Sequence, residues 1–242
     1  MNSGVLSHSY LSIMEAKSIE DFRGQIVHFA NELGFQYVSA MTVVDQSLTR
    51  SDFVTIDNMP LDYRQAGASA VDTHRRDPVM QHCKRGAVPI VWDQETYLRT
   101  GAIDLWEEQA AFGYRTGIAL ALHLPEGRHF MLGVDRDQRL PKEPSELTRI
   151  VADLQLFAVH AQDTALRLFV PAEKLVETPS LTPRELEALR WTMEGKTAWE
   201  VGSILGISER TAVLHIQNAM RKLGSVNKHQ AVLKALRLGL IH

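Results

Sequence analysis

Cysteine is nearly absent from this sequence: Cys83 stands alone among 242 residues. That excludes an internal disulfide framework or a four-cysteine metal site, and it predicts a reducing, cytoplasmic home. Long apolar runs are missing as well. No stretch approaches the roughly 18 consecutive apolar residues of a spanning helix, so no membrane partner is expected. Met1 to Tyr10 lack the charged and then apolar layout of a secretory signal. Enzyme signatures are wanting too: there is no G-x-S-x-G elbow, phosphate loop, dinucleotide fingerprint or H-E-x-x-H pair. Neither an enzyme nor a cofactor is therefore expected. What is present, 45% hydrophobic and 23% charged residues, is ordinary globular chemistry and excludes disorder. The length predicts one large domain or two unequal ones.

Acidic residues are themselves missing from one region. The net charge of −3 combines a balance of −6 over residues 1–170 with +3 over 171–242, and Arg210 to His242 contains no acid at all. A basic end on an acidic body points to an anionic partner such as nucleic acid, although a solvated basic helix face gives the same count.

Helix punctuation is dense in that basic end. Thr182-Pro183-Arg184-Glu185 supplies a capping oxygen, a proline at the first helical position and a glutamate that reaches back to the cap amide. Thr197-Ala198-Trp199-Glu200 repeats the box, and Ser208 caps a third helix that Gly224 stops; Lys228 to Leu238 reads as a fourth. Two short helices, a tight glycine turn and a longer basic helix form a helix-turn-helix pattern. Its expected core is Leu189, Val201, Ile204, Leu205, Ile207, Val213 or Leu214, and Leu223. Lys196 and Thr197 lie at a helix start, where amides and an ammonium favour phosphate. Arg210, Gln217, Asn218 and Arg221 have the reach for base edges or backbone, and spacing brings Arg210, Leu214, Gln217 or Asn218, and Arg221 to one face.

The run Leu181-Thr182-Pro183-Arg184-Glu185, Gly195-Lys196-Thr197, Glu200, Leu205-Gly206-Ile207-Ser208, Thr211, His215 and Arg221-Lys222-Leu223 resembles the helix-turn-helix of LuxR-type transcription regulators. The resemblance implies a recognition helix over 208–223 and adds Ser208, Thr211, His215 and Lys222 to the DNA-contacting set. It departs from the family at Val213, where a basic residue is usual.

The amino-terminal body mixes both periods. Ile19 to Leu33 and Ser145 to Phe169 are helical in pattern, whereas Tyr37 to Val44, Gly117 to Leu124 and Phe130 to Val134 read as strands, the last two joined at Pro125-Glu126-Gly127. The expectation is an α+β chain: an α/β/α sandwich over 1–170, a linker over 171–180 and a small all-α domain over 181–242. His123 and His129 bracket the hairpin turn, Asp135 and Asp137 read as solvated turn residues, and Cys83 reads as an inert thiol.

Asp77-Pro78, followed fifteen residues later by Trp92, and Leu105-Trp106-Glu107-Glu108 leading to Gly113 and Gly117 resemble the LuxR-type signal-binding domain over residues 20–165. Taken alone, Asp77 is a helix cap or turn residue. The resemblance implies that it takes the amide N–H of a homoserine lactone and that Trp92 packs on the ring. It also implies that Gly117 permits close sheet packing, and that Met41, Tyr97, Leu105, Trp106, Tyr114, Leu120 and Phe130 surround the tail. Tyr63 and Gly67 stand where the family has a paired tryptophan and tyrosine, four apart, and Gly133 replaces a frequent hydroxyl. Phe130, if inward, would shorten the cavity. These features imply a regulator that binds an acyl- or aryl-homoserine lactone, or a related small apolar signal, and reads a palindromic DNA operator as a homodimer, with RNA polymerase a further partner. A ligand-independent regulator, one sensing a non-lactone molecule, and an enzyme or carrier fused to a DNA module are the alternatives.

Overall fold

The structure, a computed structural model, describes residues 8–45, 51–67, 73–169 and 179–242. The chain divides into two compact units. In the first, α1 (His8–Glu15) and α2 (Ile19–Glu32) precede β1 (Tyr37–Asp45) and β2 (Ser51–Asp57). The short helices α3 (Leu61–Gly67), α4 (Thr73–Arg76) and α5 (Pro78–Arg85) lead to β3 (Ile90–Trp92). Then α6 (Gln94–Arg99) and α7 (Ile103–Ala110) lead to the hairpin of β4 (Thr116–Leu124) and β5 (Arg128–Arg136), and α8 (Pro144–Phe169) follows. Every strand pair is antiparallel, in the order β2-β1-β5-β4-β3.

Helices cover both faces of this sheet. On one, Phe22, Ile26 and Phe29 of α2 and Leu154 and Phe157 of α8 pack on Val38, Ile118, Leu120, Phe130 and Leu132. Phe29 and Phe157 stack with ring centroids 3.8 Å apart. Each such side chain contributes about 1.5–3 kcal/mol on burial, so this face is the main stabilising core. On the other face Val79 and Cys83 of α5, Tyr97 of α6 and Leu105 of α7 lie over Trp92, Ala119 and Ala121. Covered on both sides, β4 is buried without a break from Thr116 to Ala121.

The expected helices and three strands are present within a residue or two. β2 and β3, one mostly exposed and one only three residues long, carried too little alternation to be read. His123 and His129 meet across the hairpin, Nδ1 to Nδ1, at 2.9 Å. Asp135, expected on a turn, instead lies inside β5; Asp137 is the exposed residue, paired with Arg115 at 3.0 Å. The break expected at 170–172 and the linker to Glu177 and Thr178 lie outside the described residues.

The second unit holds α9 (Pro183–Met193), α10 (Ala198–Leu205), α11 (Glu209–Lys222) and α12 (Lys228–Arg237). Both capping boxes form as the sequence predicts, and Ser208 accepts the Thr211 N–H at the head of α11. Leu189, Val201 and Leu223 are buried as expected, beside Ala188, Ala212, Ile216 and Ala219. Ile204 and Leu214 are not core residues: they are 45% and 53% exposed. The buried positions on α11 are one helical stripe, 212, 216 and 219, which leaves Leu214 on the far side.

The turn between α10 and α11 is tight enough to forbid a side chain at Gly202. A Cβ there would sit 2.9 Å from the Ile207 carbonyl oxygen and 3.1 Å from the Glu209 nitrogen. Alanine in a helix interior ordinarily gains about 1 kcal/mol over glycine, whereas forced overpacking costs about 1–3 kcal/mol. Gly24 of α2 has nothing within 4 Å of its Cβ position. Gly24→Ala should therefore raise stability in denaturant melts and Gly202→Ala should lower it. Gains at both would refute the close approach.

Candidate functional site

Strand register places one row of residues across four strands: Trp92 on β3 opposite Gly117 on β4, opposite Asp135 on β5, opposite Tyr37 on β1. Side chains alternate sides along a strand, so this row and the next, Ala119, Gly133 and Ser39, share the face beneath α5, α6 and α7. Between them lies a cavity of about 180 Å³, walled also by Met41, Met59, Tyr63, Asp77, Met80, Tyr97, Gln109, Tyr114 and Met131. A second space of about 360 Å³ shares Met41, Met80 and Met131 with it and extends to Phe53, Cys83 and His123.

Local structure holds several groups of this wall, although the Tyr114 hydroxyl and Gln109 Nε2 find no hydrogen-bond partner among the described residues. Asp77 is both cap and wall residue: its Oδ1 accepts the Val79 and Met80 N–H groups at 2.8 and 3.1 Å, starting α5, and lies 3.5 Å from the Tyr97 hydroxyl. Trp92 meets Tyr97 edge-on with centroids 5.7 Å apart. Tyr63, Tyr114 and Tyr37 stack in sequence at 4.5 and 4.4 Å. An ion pair between Arg64 and the buried Asp57 ties α3, and so Tyr63, to the end of β2. Gly117 makes the row possible, since a Cβ there would fall 2.5 Å from Asp135 Oδ1 and 2.7 Å from Trp92 Cε2.

The electrostatics of the cavity are those of a desolvated acidic site. Burial, and then the charge on Asp77, push the Asp135 carboxyl up to about 8. Burial, with Asp135 next, pushes the Tyr63 hydroxyl up to about 12 and Tyr114 higher still. Burial first and Asp77 second do the same to Tyr97, and to the Cys83 thiol, which rises to about 11 and agrees with its reading as inert.

Of the residues singled out from sequence, Met41, Tyr63, Asp77, Trp92, Tyr97, Tyr114 and Gly133 line the cavity. Leu120 borders it, but its side chain belongs to the opposite core. Phe130 also points into that core, fully buried, and does not shorten the cavity. Leu105 packs within the layer over the sheet without being a wall residue. Trp106 lines a separate groove of about 650 Å³, with Arg115, Asp137 and Lys142, and donates its indole N–H to the Arg115 carbonyl at 3.0 Å. Asp135, Gln109, Met59 and Met131 were missed. For Asp135 and Met131 the signal was available, since both lie two residues from Gly133 on one strand.

In the second unit Arg210, Leu214, Gln217 and Arg221 are exposed along one side of α11, opposite its buried stripe. His215 and Thr211 are half-buried, and the Thr211 hydroxyl bonds that of Ser208 at 2.8 Å. Thr197 binds Glu200 within its capping box while Lys196, half-buried, precedes it. Asn218 accepts from Arg221 at 3.1 Å. Lys222 reaches into the unit and donates to Glu185 at 2.8 Å. Burial pushes the Glu185 carboxyl up, but the Lys222 ammonium and the Thr182 N–H outweigh that and hold it below the usual range.

The raised Asp135 has a measurable consequence. In the unfolded chain it titrates near 3.8, so folding takes up a proton between about pH 4 and about pH 8. Its contribution to stability is full below the unfolded value and is lost as pH rises through about 8. In urea melts from pH 5 to pH 9 the protein should lose stability relative to Asp135→Asn as pH rises, and parallel profiles would show that the carboxyl is not desolvated.

Residues 18–165 match the family model described as the autoinducer binding domain, and residues 179–235 match that of the bacterial regulatory proteins of the luxR family. The chain is 33% identical to the transcriptional activator protein AnoR of Acinetobacter nosocomialis, with 88% of each covered. It is 30% identical to SolR of Ralstonia solanacearum, covering 96% of this chain and 97% of that protein. Among solved structures, Escherichia coli SdiA superposes with a TM-score of 0.71 at 28% identity, covering 96% of this chain and 95% of that one. SdiA is also known in complex with octanoyl-rac-glycerol, with a TM-score of 0.70. The sheet unit with its cavity and the four-helix unit thus correspond to the two matched domains, and the chain belongs to the LuxR family of quorum-sensing transcription regulators.

Proposed function

We propose that a small molecule with an apolar body, an acyl- or aryl-homoserine lactone or an analogue of one, occupies the cavity and switches the DNA affinity of α11. The observation that carries this reading is the hollow itself: aromatic walls and the Asp77 carboxylate border space that no described side chain fills. Phe130 and Trp106 are the residues that would have favoured a self-filled, ligand-independent regulator; Phe130 packs in the opposite core and Trp106 lines the separate groove. That SdiA takes octanoyl-rac-glycerol keeps non-lactone signals within the proposal. Occupancy at about 100 times Kd stabilises a folded unit by about 2.7 kcal/mol, enough to shift an assembly equilibrium coupled to it.

The assembled form in this proposal is a homodimer in which α8 pairs with its copy, supported by Leu156 and Val159, 43% and 46% exposed on that helix. Two α11 helices then read half-sites of a roughly palindromic operator about 34–36 Å apart, or a multiple of that, and RNA polymerase is the next partner. The expected setting is the cytoplasm; among the described residues no helix is long and apolar enough to cross a membrane. Residues 1–170 would form the signal domain, 171–180 the linker and 181–242 the reading head.

Two measurements test the assignment. Asp77→Asn keeps a capping oxygen for α5, where alanine would also lose about 1 kcal/mol of cap. It should reduce the thermal shift produced by N-octanoyl-homoserine lactone while leaving the unliganded midpoint near wild type; an undiminished shift would remove Asp77 from the site. Arg221→Ala should weaken binding to a duplex selected from random-sequence DNA and reduce its log–log salt slope by about 1. Unchanged affinity and slope would remove Arg221 from the interface.

A further inference from the structure

The turn from α7 into β4 carries two polar side chains that the reading above does not use. Gln109 lies in the last turn of α7 and Tyr114 shortly before β4. The Gln109 carbonyl accepts the Phe112 and Tyr114 N–H groups at 3.0 and 3.2 Å, so the turn fixes the two residues together. Between them Gly113 takes a φ of +92°, a left-handed conformation that disfavours a side chain, and a Cβ there would sit 3.3 Å from the Tyr37 ring. Tyr114 is held further by its stack between Tyr63 and Tyr37.

Both side chains line the cavity, and both present donors that nothing meets. The Tyr114 hydroxyl, on a residue 3% exposed, and the buried Gln109 Nε2 have no hydrogen-bond partner among the described residues. The Gln109 amide is near enough to the Tyr97 hydroxyl to favour its ionised form, yet Nε2 completes no bond there. A buried donor left unmade is costly, and two in one wall mark a place for a group from outside the chain. That group is an acceptor, because an amide N–H can only donate. It is also neutral, since the Asp77 carboxylate repels an anion. The Asp135 carboxyl, raised to about 8 by burial and then by the charge on Asp77, keeps its proton at neutral pH and adds no second charge.

Covalent geometry says which oxygen of the ligand this is. A trans amide points its N–H and its C=O in opposite directions. With the ligand N–H at Asp77, the carbonyl of that same amide faces away from the carboxylate. The Tyr97 hydroxyl lies 3.5 Å from Asp77 Oδ1 and beside the Gln109 amide, so Gln109 stands on the Asp77 side. The acceptor that reaches it belongs to the substituent on the amide nitrogen, as the ring carbonyl of a homoserine lactone does.

We infer that Gln109 and Tyr114 are specificity-determining residues of the signal site, donating from Nε2 and the phenol to a neutral carbonyl oxygen on the ligand head, apart from the amide that Asp77 takes. The inference rests on the cavity being the signal site and adds which part of the signal that site selects.

The test titrates the full chain by calorimetry with N-octanoyl-homoserine lactone and N-(oxolan-3-yl)octanamide, which differ only in the ring carbonyl. The lactone should bind about tenfold more tightly or better, because a site built to donate rejects a ligand without the acceptor. In Gln109→Leu, and in Tyr114→Phe, which keeps the ring stack, that preference should fall severalfold, and in the double variant to about one. Thermal melts without ligand give a second readout. An apolar replacement of an idle buried donor should leave the midpoint at or above wild type, whereas loss of a structural hydrogen bond lowers it. Equal affinity of the wild type for the two probes, an undiminished preference in the double variant, or a lowered midpoint in both single variants overturns the inference. Equal affinity leaves the signal site standing, whereas binding of neither probe overturns both readings.

Discussion

The period of two along β3, β4, β5 and β1 is the constraint from which the rest of the amino-terminal unit follows. It sends Phe130, Leu132 and Ile118 toward α2 and α8, where they build the stabilising core, and turns Trp92, Gly117 and Asp135 to the side where the cover is thinner. A sheet whose two faces differ in this way separates its tasks: one face supplies stability and the other leaves room. The lack of a side chain at Gly117 extends that division to atomic distances, because it lets a carboxylate and an indole occupy one spot above β4.

The carboxy-terminal unit depends on a different device, helix punctuation. Thr182 with Glu185, and Thr197 with Glu200, satisfy amides at two helix starts that lie only fifteen residues apart. Such local pairs are written in neighbouring residues, which is why the order and limits of α9 to α11 were legible in the sequence to within a residue. Leu189, Val201 and Leu223 were legible as core for the same reason, a helical stripe between clear stops. Ile204 was misplaced, and the choice between Val213 and Leu214 stayed open, because hydrophobicity alone does not say which of two adjacent stripes faces inward.

The cavity was legible in part. Asp77, Trp92 and Tyr63 could be named from their spacing and from the family they resemble, since motifs preserve linear order. Phe130 was assigned to the wrong side, and Leu120 only borders the cavity, because pairing register is a long-range property: one residue of displacement along a strand exchanges the faces. Asp135 was misread for a related reason, as the aspartates on either side of Arg136 look like turn chemistry until β5 is seen to run through the first of them. β2 escaped notice because its exposed residues give no apolar period, and its partner β1 is what makes it a strand.

The Lys222 ammonium also changes how the basic end of the molecule should be counted. It is committed to Glu185, and Lys234 likewise gives its ammonium to the carbonyls of Leu223 and Gly224 at 2.9 and 2.7 Å, closing the end of α11 as cations do at a helix C-terminus. Two of the six positive side chains between Arg210 and His242 are thus internal fasteners. The electrostatic footprint offered to a polyanion is smaller than the primary structure advertises, and shape rather than bulk charge must do more of the discriminating.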